Sequence, residues 1–250
     1  MWSNTSQVDT VFTNTIFCEA KRNGIDVRGY PVSETPVKLP DHERAYRALR
    51  EMVLHGELSP GQPVTIQGLV EALGLGMTPV REAIRRLTSQ GALVFKDNRR
   101  VEVPQMNLGA FQELAFARLA VEPELARRAV ANMGQADIAA LVDIDEAVDR
   151  AIERGDVRSY LENNHLFHAR LYAYSGAEVL LAISEMLWLR SGPSLRVMLG
   201  RHGTANLPDK HQEALAAMRA GDADGVARAI RGDIEQGIAQ VTRSLGGEKP

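Results

Sequence analysis

Two hundred and fifty residues, 44% of them hydrophobic, can bury a sizeable core and sit near the length at which single cores divide, so two domains are expected. A formal charge of −3 excludes a protein that coats nucleic acid through its average charge and leaves only a local basic patch for that task. The single cysteine, Cys18, excludes an internal disulfide, and neither a long apolar run nor a secretory start is present, so a cytoplasmic protein with no membrane partner is expected.

Residues 1–40 are polar and broken by Pro31, Pro36 and Pro40, which predicts a loosely ordered arm. From Asp41 the apolar residues Ala45, Leu49, Met52 and Val53 recur at helical spacing until a Gly- and Pro-bearing turn at 56–61. Thr65 is placed to cap a short helix, TIQGLVEAL, that stops at Gly74. Thr78-Pro79 gives a second start, with the hydroxyl at the cap and proline at the first helical position, and this third helix runs to about Gln90 before Gly91 ends it. Ala92–Phe95 and Val101–Val103 flank the polar tip KDNRR and predict a hairpin, or wing. After Pro104 the chain reads as almost uninterrupted helix over 107–132, 135–154, 156–175, 178–200, 208–220 and 222–244, with breaks at Gly134, Gly155, Gly176, Pro208 and Gly221. The expected fold is therefore mainly α: a winged helix-turn-helix at 41–104, followed at 105–246 by an all-α antiparallel bundle of about six helices.

In GLGMTPVREAIRRL, residues 74–87, Val80, Ala83, Ile84 and Leu87 share one helical face, which leaves Arg81 and Arg85 to point elsewhere. Thr78 and Arg81 fall in the first turn, where a recognition helix meets base edges and phosphates. An arginine fork suits that position because it can bind guanine O6 and N7 together or clamp a phosphate. The whole run from ERAYRALREMVLHGEL through PVREAIRRLTSQGALV resembles the DNA-binding domain of GntR-family bacterial transcription regulators. The helical remainder is similar to the FCD-like ligand-binding domain of that family's FadR-type branch, and together the likeness spans about 41–245. The resemblance implies DNA contacts from Gln67, Met77, Thr78, Arg81, Arg85, Arg99 and Arg100. It also marks departures: Met77 stands where the family has an arginine, Gln67 where it has an arginine or glutamate, and Asp97-Asn98 replace a glycine-rich wing tip. Weaker or differently specified binding is implied, or else compensation by Arg99 and Arg100.

In the bundle, Asn164 and His168 are four apart and share a face, whereas His165 is turned about 100° from Asn164 by the helical period. His211 and Asp233 lie about equally far either side of the Gly221-Asp222 turn, so an antiparallel hairpin brings them together. Spacing alone leaves packed, solvent-facing and ligating histidines all open. The FadR-type resemblance implies a divalent metal site, because that branch's Asp-x-x-x-His pair and two further histidines fall on Asn164, His168, His211 and Asp233. Two of those four differ here, and the set suits zinc, nickel or manganese. The competing reading is a polar pocket in which Asn164 and Asp233 hydrogen-bond the two imidazoles.

Arg118 lies four before Glu122 among apolar neighbours, as either a helix-surface ion pair or a cavity residue. The resemblance implies the second, since the branch's R-x-x-x-E signature falls on this pair and its arginine points into the effector cavity. A guanidinium beside a metal suits a small carboxylate. The expected protein is a dimeric, ligand-responsive repressor of a near-palindromic operator in double-stranded DNA, and not an enzyme. Two other readings stay open: a metal-dependent enzyme on a helical bundle, and a ligand-sensing module that has lost DNA binding.

Overall fold

The structure is a computed structural model that describes residues 39–96, 100–202 and 209–245. The N-terminal arm, the wing tip with Arg99, and the break at Pro208 lie outside the described residues.

Helix α1 (Asp41–Leu54) is followed by strand β1 (Pro63–Val64), α2 (Ile66–Leu73), α3 (Met77–Ser89), β2 (Val94–Phe95) and β3 (Val101–Glu102). Thr65 caps α2 by accepting from the Gly68 amide, and Gly74 closes it in the left-handed conformation at φ 62°. Ala45, Leu49 and Val53 of α1 pack with Val80, Ala83, Ile84 and Leu87 of α3 in one apolar cluster. The apolar stripe read from the sequence is thus the buried face of α3, and the arginines lie off it.

Two details differ from the expected order. Thr78 does not cap α3: the helix starts at Met77 behind Gly76, which supplies no side-chain cap. Pro79 is consequently the third residue of the helix, where its missing N–H costs nothing because first-turn amides have no intrahelical acceptor. The hairpin is also only part of a three-stranded antiparallel sheet ordered β1-β3-β2, with Val64 opposite Val101 and Phe95 opposite the same residue on the other side. A two-residue strand such as β1 is too short to show a period of two.

The second part is six helices: α4 (Leu108–Ala129, extended by a 3₁₀ turn at Val130–Asn132), α5 (Gln135–Glu153), α6 (Val157–Ala173), α7 (Glu178–His202), α8 (Lys210–Ala220) and α9 (Ala223–Leu245). Their boundaries fall close to those expected, because glycines with positive φ at 155, 176 and 221 end α5, α6 and α8. Leu125, Leu141, Phe167, Leu171, Leu215 and Ile230 form the centre of a second core drawn from five of the six helices.

The two cores meet along α7. Trp188 and Leu189 are bundle residues, yet they pack within the α1–α3 cluster. One turn on, Gly192 faces the end of α1 so closely that a Cβ there would overlap the Leu54 carbonyl oxygen. Arg158 of α6 pairs with Glu57 at 2.9 Å, and the His55 and His165 rings meet edge-on at 6.1 Å. Burial pushes the His55 pKa down to about 4 against the pull of Glu162, so this junction is held by neutral rings at physiological pH. From Pro40 onward the chain is accordingly one contact unit.

The fit at Gly192 gives a paired expectation. Gly192→Ala forces α7 off α1 and lowers stability by about 1–3 kcal/mol, as overpacking does. Gly237→Ala in α9, where a Cβ meets nothing within 4 Å, raises stability by about 0.5–1 kcal/mol. Urea unfolding of both variants checks the pair.

Candidate functional site

The basic face of α3 comes first. Arg81 and Arg85 are exposed and, among the described residues, form no ion pair or hydrogen bond. Arg86, next in sequence, is structural: its guanidinium bonds Glu43 at 3.0 Å and lies 3.5 Å over the Tyr46 ring. Thr78 is exposed in the first turn and Met77 is 51% exposed beside it. Gln67 bonds Glu71 at 3.0 Å on its own helix, and Arg100 is exposed directly before β3. A pair of unneutralised arginines on the outer face of a helix that follows a tight turn is therefore present, and the opposite face of that helix shares an apolar cluster with α1 and the sheet valines.

The second constellation lies in the bundle. His168 of α6, His211 of α8 and Asp233 of α9 place one ligand atom each within 4.8 Å of the others. The two Nε2 atoms are 3.4 Å apart, and Asp233 reaches His168 Nε2 at 3.1 Å and His211 Nε2 at 3.9 Å. Hydrogen bonding fixes the tautomers. The Tyr172 hydroxyl donates its one proton to Glu122 at 2.9 Å, so the 3.0 Å contact with His168 Nδ1 is made by an N–H on that nitrogen. His211 Nδ1 likewise donates to Asp145 at 2.8 Å. Neutral rings would then face each other and a carboxylate with bare Nε2 lone pairs, an arrangement relieved either by a proton on one Nε2, shared with Asp233, or by a cation among the three.

The local electrostatics favour positive charge among these groups. Burial lowers the pKa of His211, but the hydrogen bond and charge of Asp145 and the charge of Asp233 outweigh it, so the net shift is upward. Burial raises the Asp233 pKa, but the His168 hydrogen bond and the charges of His168, His211 and Arg118 bring it down to about 2. Asn164 is buried on the His168 face and makes no hydrogen bond among the described residues. Of the two side chains expected to bond the imidazoles in the polar-pocket reading, only Asp233 does so.

Arg118 is not on the surface. Its Nε and Nη2 bind the two Glu122 oxygens at 2.6 and 3.2 Å, and Glu122 is wholly buried. Its guanidinium also lies 4.4 Å over the Trp188 ring, and its Nη1 edge makes no hydrogen bond among the described residues. Arg118 is near enough to Asp233 to help hold that carboxylate ionised.

Asp145, Tyr172 and Trp188 were not marked by the sequence reading. Asp145 carried a usable signal, since it is an acid on the stripe of Ile138, Leu141, Ile144 and Val148 that α5 buries. Tyr172 is four after His168 and so on its face. Glu162 bonds Arg158 at 2.7 Å and lies 3.9 Å from His55, away from the triad.

A winged helix-turn-helix with free arginines on its third helix, packed on a helical bundle with a polar centre, defines the class as a DNA-binding regulator with an attached helical domain. Residues 41–103 match the profile of the bacterial regulatory proteins of the gntR family, and residues 113–236 match the FCD domain. The HTH-type transcriptional regulator McbR of Escherichia coli K12 is 31% identical over 194 residues, covering 76% of this chain and 88% of that protein. The transcriptional repressor RspR of the same organism is 24% identical over 208 residues, covering 82% and 90%. The solved structure of E. coli McbR/YncC superposes with a TM-score of 0.78 at 28% identity, over 83% of this chain and 99% of that one. The chain belongs to the GntR family of transcription regulators, in the form that carries an FCD domain. These relatives are DNA-binding regulators, which sets aside the enzyme reading. None of the described helices is long and apolar enough to cross a membrane.

The buried pair gives a stability expectation. Arg118→Met strands the Glu122 charge and costs about 3–5 kcal/mol, whereas Arg118→Met with Glu122→Gln, which removes both charges, costs less than the single change. Chemical denaturation of both variants measures the difference.

Proposed function

We propose that this chain is a homodimeric, cytoplasmic transcription repressor whose grip on a near-palindromic operator is set by a small organic acid bound beside a divalent ion in the FCD domain. The observation that carries the sensor half of this reading is the convergence of two Nε2 atoms and the Asp233 carboxylate. Their separations of 3.1, 3.4 and 3.9 Å bracket the roughly 3.3 Å between neighbouring donors when bonds of about 2.0–2.1 Å are arranged tetrahedrally. The opposite ring nitrogens are held by Asp145 and Tyr172, the outer support that ligating imidazoles need. His168, His211 and Asp233 would hold zinc, nickel or manganese, with the Asn164 amide oxygen as a fourth, weaker donor. The ion would supply positive charge for a carboxylate, and the free edge of Arg118 would orient the remainder of that acid.

Arg81 and Arg85 support the DNA half, with Thr78, Gln67, Met77 and Arg100 around them and Arg99 beyond the described residues. A dimer would set its two α3 helices about 34–36 Å apart, or a multiple of that, on one face of the duplex. The reading in which DNA binding has been lost is disfavoured by two exposed arginines kept free of acids.

Two measurements test the halves separately. With DNA from the chain's own upstream region, Arg81→Ala weakens binding by about 1–3 kcal/mol at a base contact, or uniformly with a salt slope lower by about one at a phosphate contact. Arg86→Ala leaves affinity close to wild type and lowers the melting temperature. Equal affinities for wild type and Arg81→Ala would remove α3 as the reading helix. In the second measurement, purified protein binds one equivalent of zinc per chain and melts higher with it, and Asp233→Asn or His168→Ala abolishes both effects. Absence of bound metal together with no rise in melting temperature on adding zinc would overturn the metal site.

A further inference from the structure

Trp188 belongs to two structures at once. Its indole Nε1–H donates to Glu122 Oε2 at 3.1 Å, its ring lies under Arg118, and its centroid is 5.2 Å from that of His168. These contacts make it a wall of the polar centre of the bundle. The same side chain, with Leu189, is buried in the apolar cluster of α1, α2 and α3. It also meets the His165 ring at 5.1 Å, and His165 in turn meets His55 just past the end of α1.

We propose that Trp188 is a positioning residue of the sensor site and the side chain through which the state of that site reaches the DNA-binding domain. Glu122 accepts from three helices, Arg118 of its own α4, Tyr172 of α6 and Trp188 of α7, and Tyr172 accepts from the candidate ligand His168. A change of charge among His168, His211 and Asp233 alters the donor strength of His168 Nδ1–H, hence of the Tyr172 hydroxyl, hence the share of Glu122 left for the indole. The indole cannot shift alone. It is buried in the apolar cluster that α1 and α3 share, and one turn later Gly192 abuts the Leu54 carbonyl with no room for slip. Any displacement of Trp188 is therefore imposed on the end of α1, the helix against which α3 is packed. A contiguous chain of hydrogen bonds and packed rings thus joins the two sites, and both ends bear on one rigid element.

This inference rests on the sensor site proposed above, and the experiment separates the two. Amide hydrogen exchange is followed over Glu51–His55 in the full chain with and without saturating zinc, alongside zinc stoichiometry by calorimetry. In wild type, zinc slows exchange there by about tenfold, within the usual range of coupling between sites. Trp188→Phe keeps an aromatic ring and still binds one zinc, but the slowing falls below about twofold. Glu122→Gln, which leaves the indole packed but weakens its acceptor, serves as the second variant if the phenylalanine loosens the fold, and it too loses the slowing. A slowing of wild-type size in both variants would overturn the proposal, because a merely structural tryptophan would leave transmission intact. If wild type takes up no zinc, the metal reading has failed and Asp233→Asn replaces zinc as the perturbation. A change in Glu51–His55 exchange caused by Asp233→Asn and absent from Asp233→Asn/Trp188→Phe upholds the coupling, and an equal change in both refutes it.

Discussion

The carboxylate of Glu122 sets the terms for the bundle. A wholly buried negative charge costs several kcal/mol unless a counter-charge and hydrogen bonds surround it, and removing any one partner leaves the penalty behind. Here the partners come from three helices: Arg118 on α4 through two direct hydrogen bonds, the Tyr172 hydroxyl on α6 and the Trp188 indole on α7. Satisfying one group thus fixes the rotation of three helices relative to one another. The same requirement fixes the tautomer of His168, because Tyr172 has only one proton to give. An interior that could have been filled with leucine instead carries an ordered polar network, which at each step determines where lone pairs face.

The DNA-binding part depends on this bundle in a way its own composition does not reveal. Its apolar cluster is completed by Trp188 and Leu189 of α7, and the last carbonyl of α1 lies against Gly192. Acidic and basic side chains then trim the edge, with Arg158 on Glu57 and Arg50 near Glu185 at 3.9 Å. On α3, the division of labour among three nearby arginines follows from helical geometry: Arg86 turns back to Glu43 and Tyr46, while Arg81 and Arg85 are left to the solvent side.

Much of the architecture was legible from glycines, prolines and periodicity. The stops at 74, 155, 176 and 221 are positive-φ glycines, which only a residue without a Cβ adopts freely, so the sequence carries them openly. The pairing of His211 with Asp233 across the Gly221 turn was legible for the same reason, since a tight hairpin converts distance from the turn into proximity. What stayed hidden depended on side chains from separate helices. The Arg118–Glu122 spacing fits a surface pair and a buried pair equally, and only the arrival of Tyr172 and Trp188 makes it buried. The start of α3 was misplaced because Thr-Pro is a good start signal locally, whereas the extended Gly76 takes the cap position and the helix begins at Met77, ahead of its first buried residue, Val80. Strand β1 has two residues and is defined by its partner β3 rather than by itself.

The contact between Gly192 and the Leu54 carbonyl has a consequence for how such a protein measures DNA. A joint with no empty layer and no spare methyl has no compliance, so each protomer holds its α3 helix at a fixed offset from its bundle. A dimer of these protomers, as proposed, would act as a caliper of set width rather than as two heads on tethers. Inserting one base pair between half-sites displaces one by about 3.4 Å and turns it by roughly 35°. Flexible linkers would absorb that change, and this junction would not.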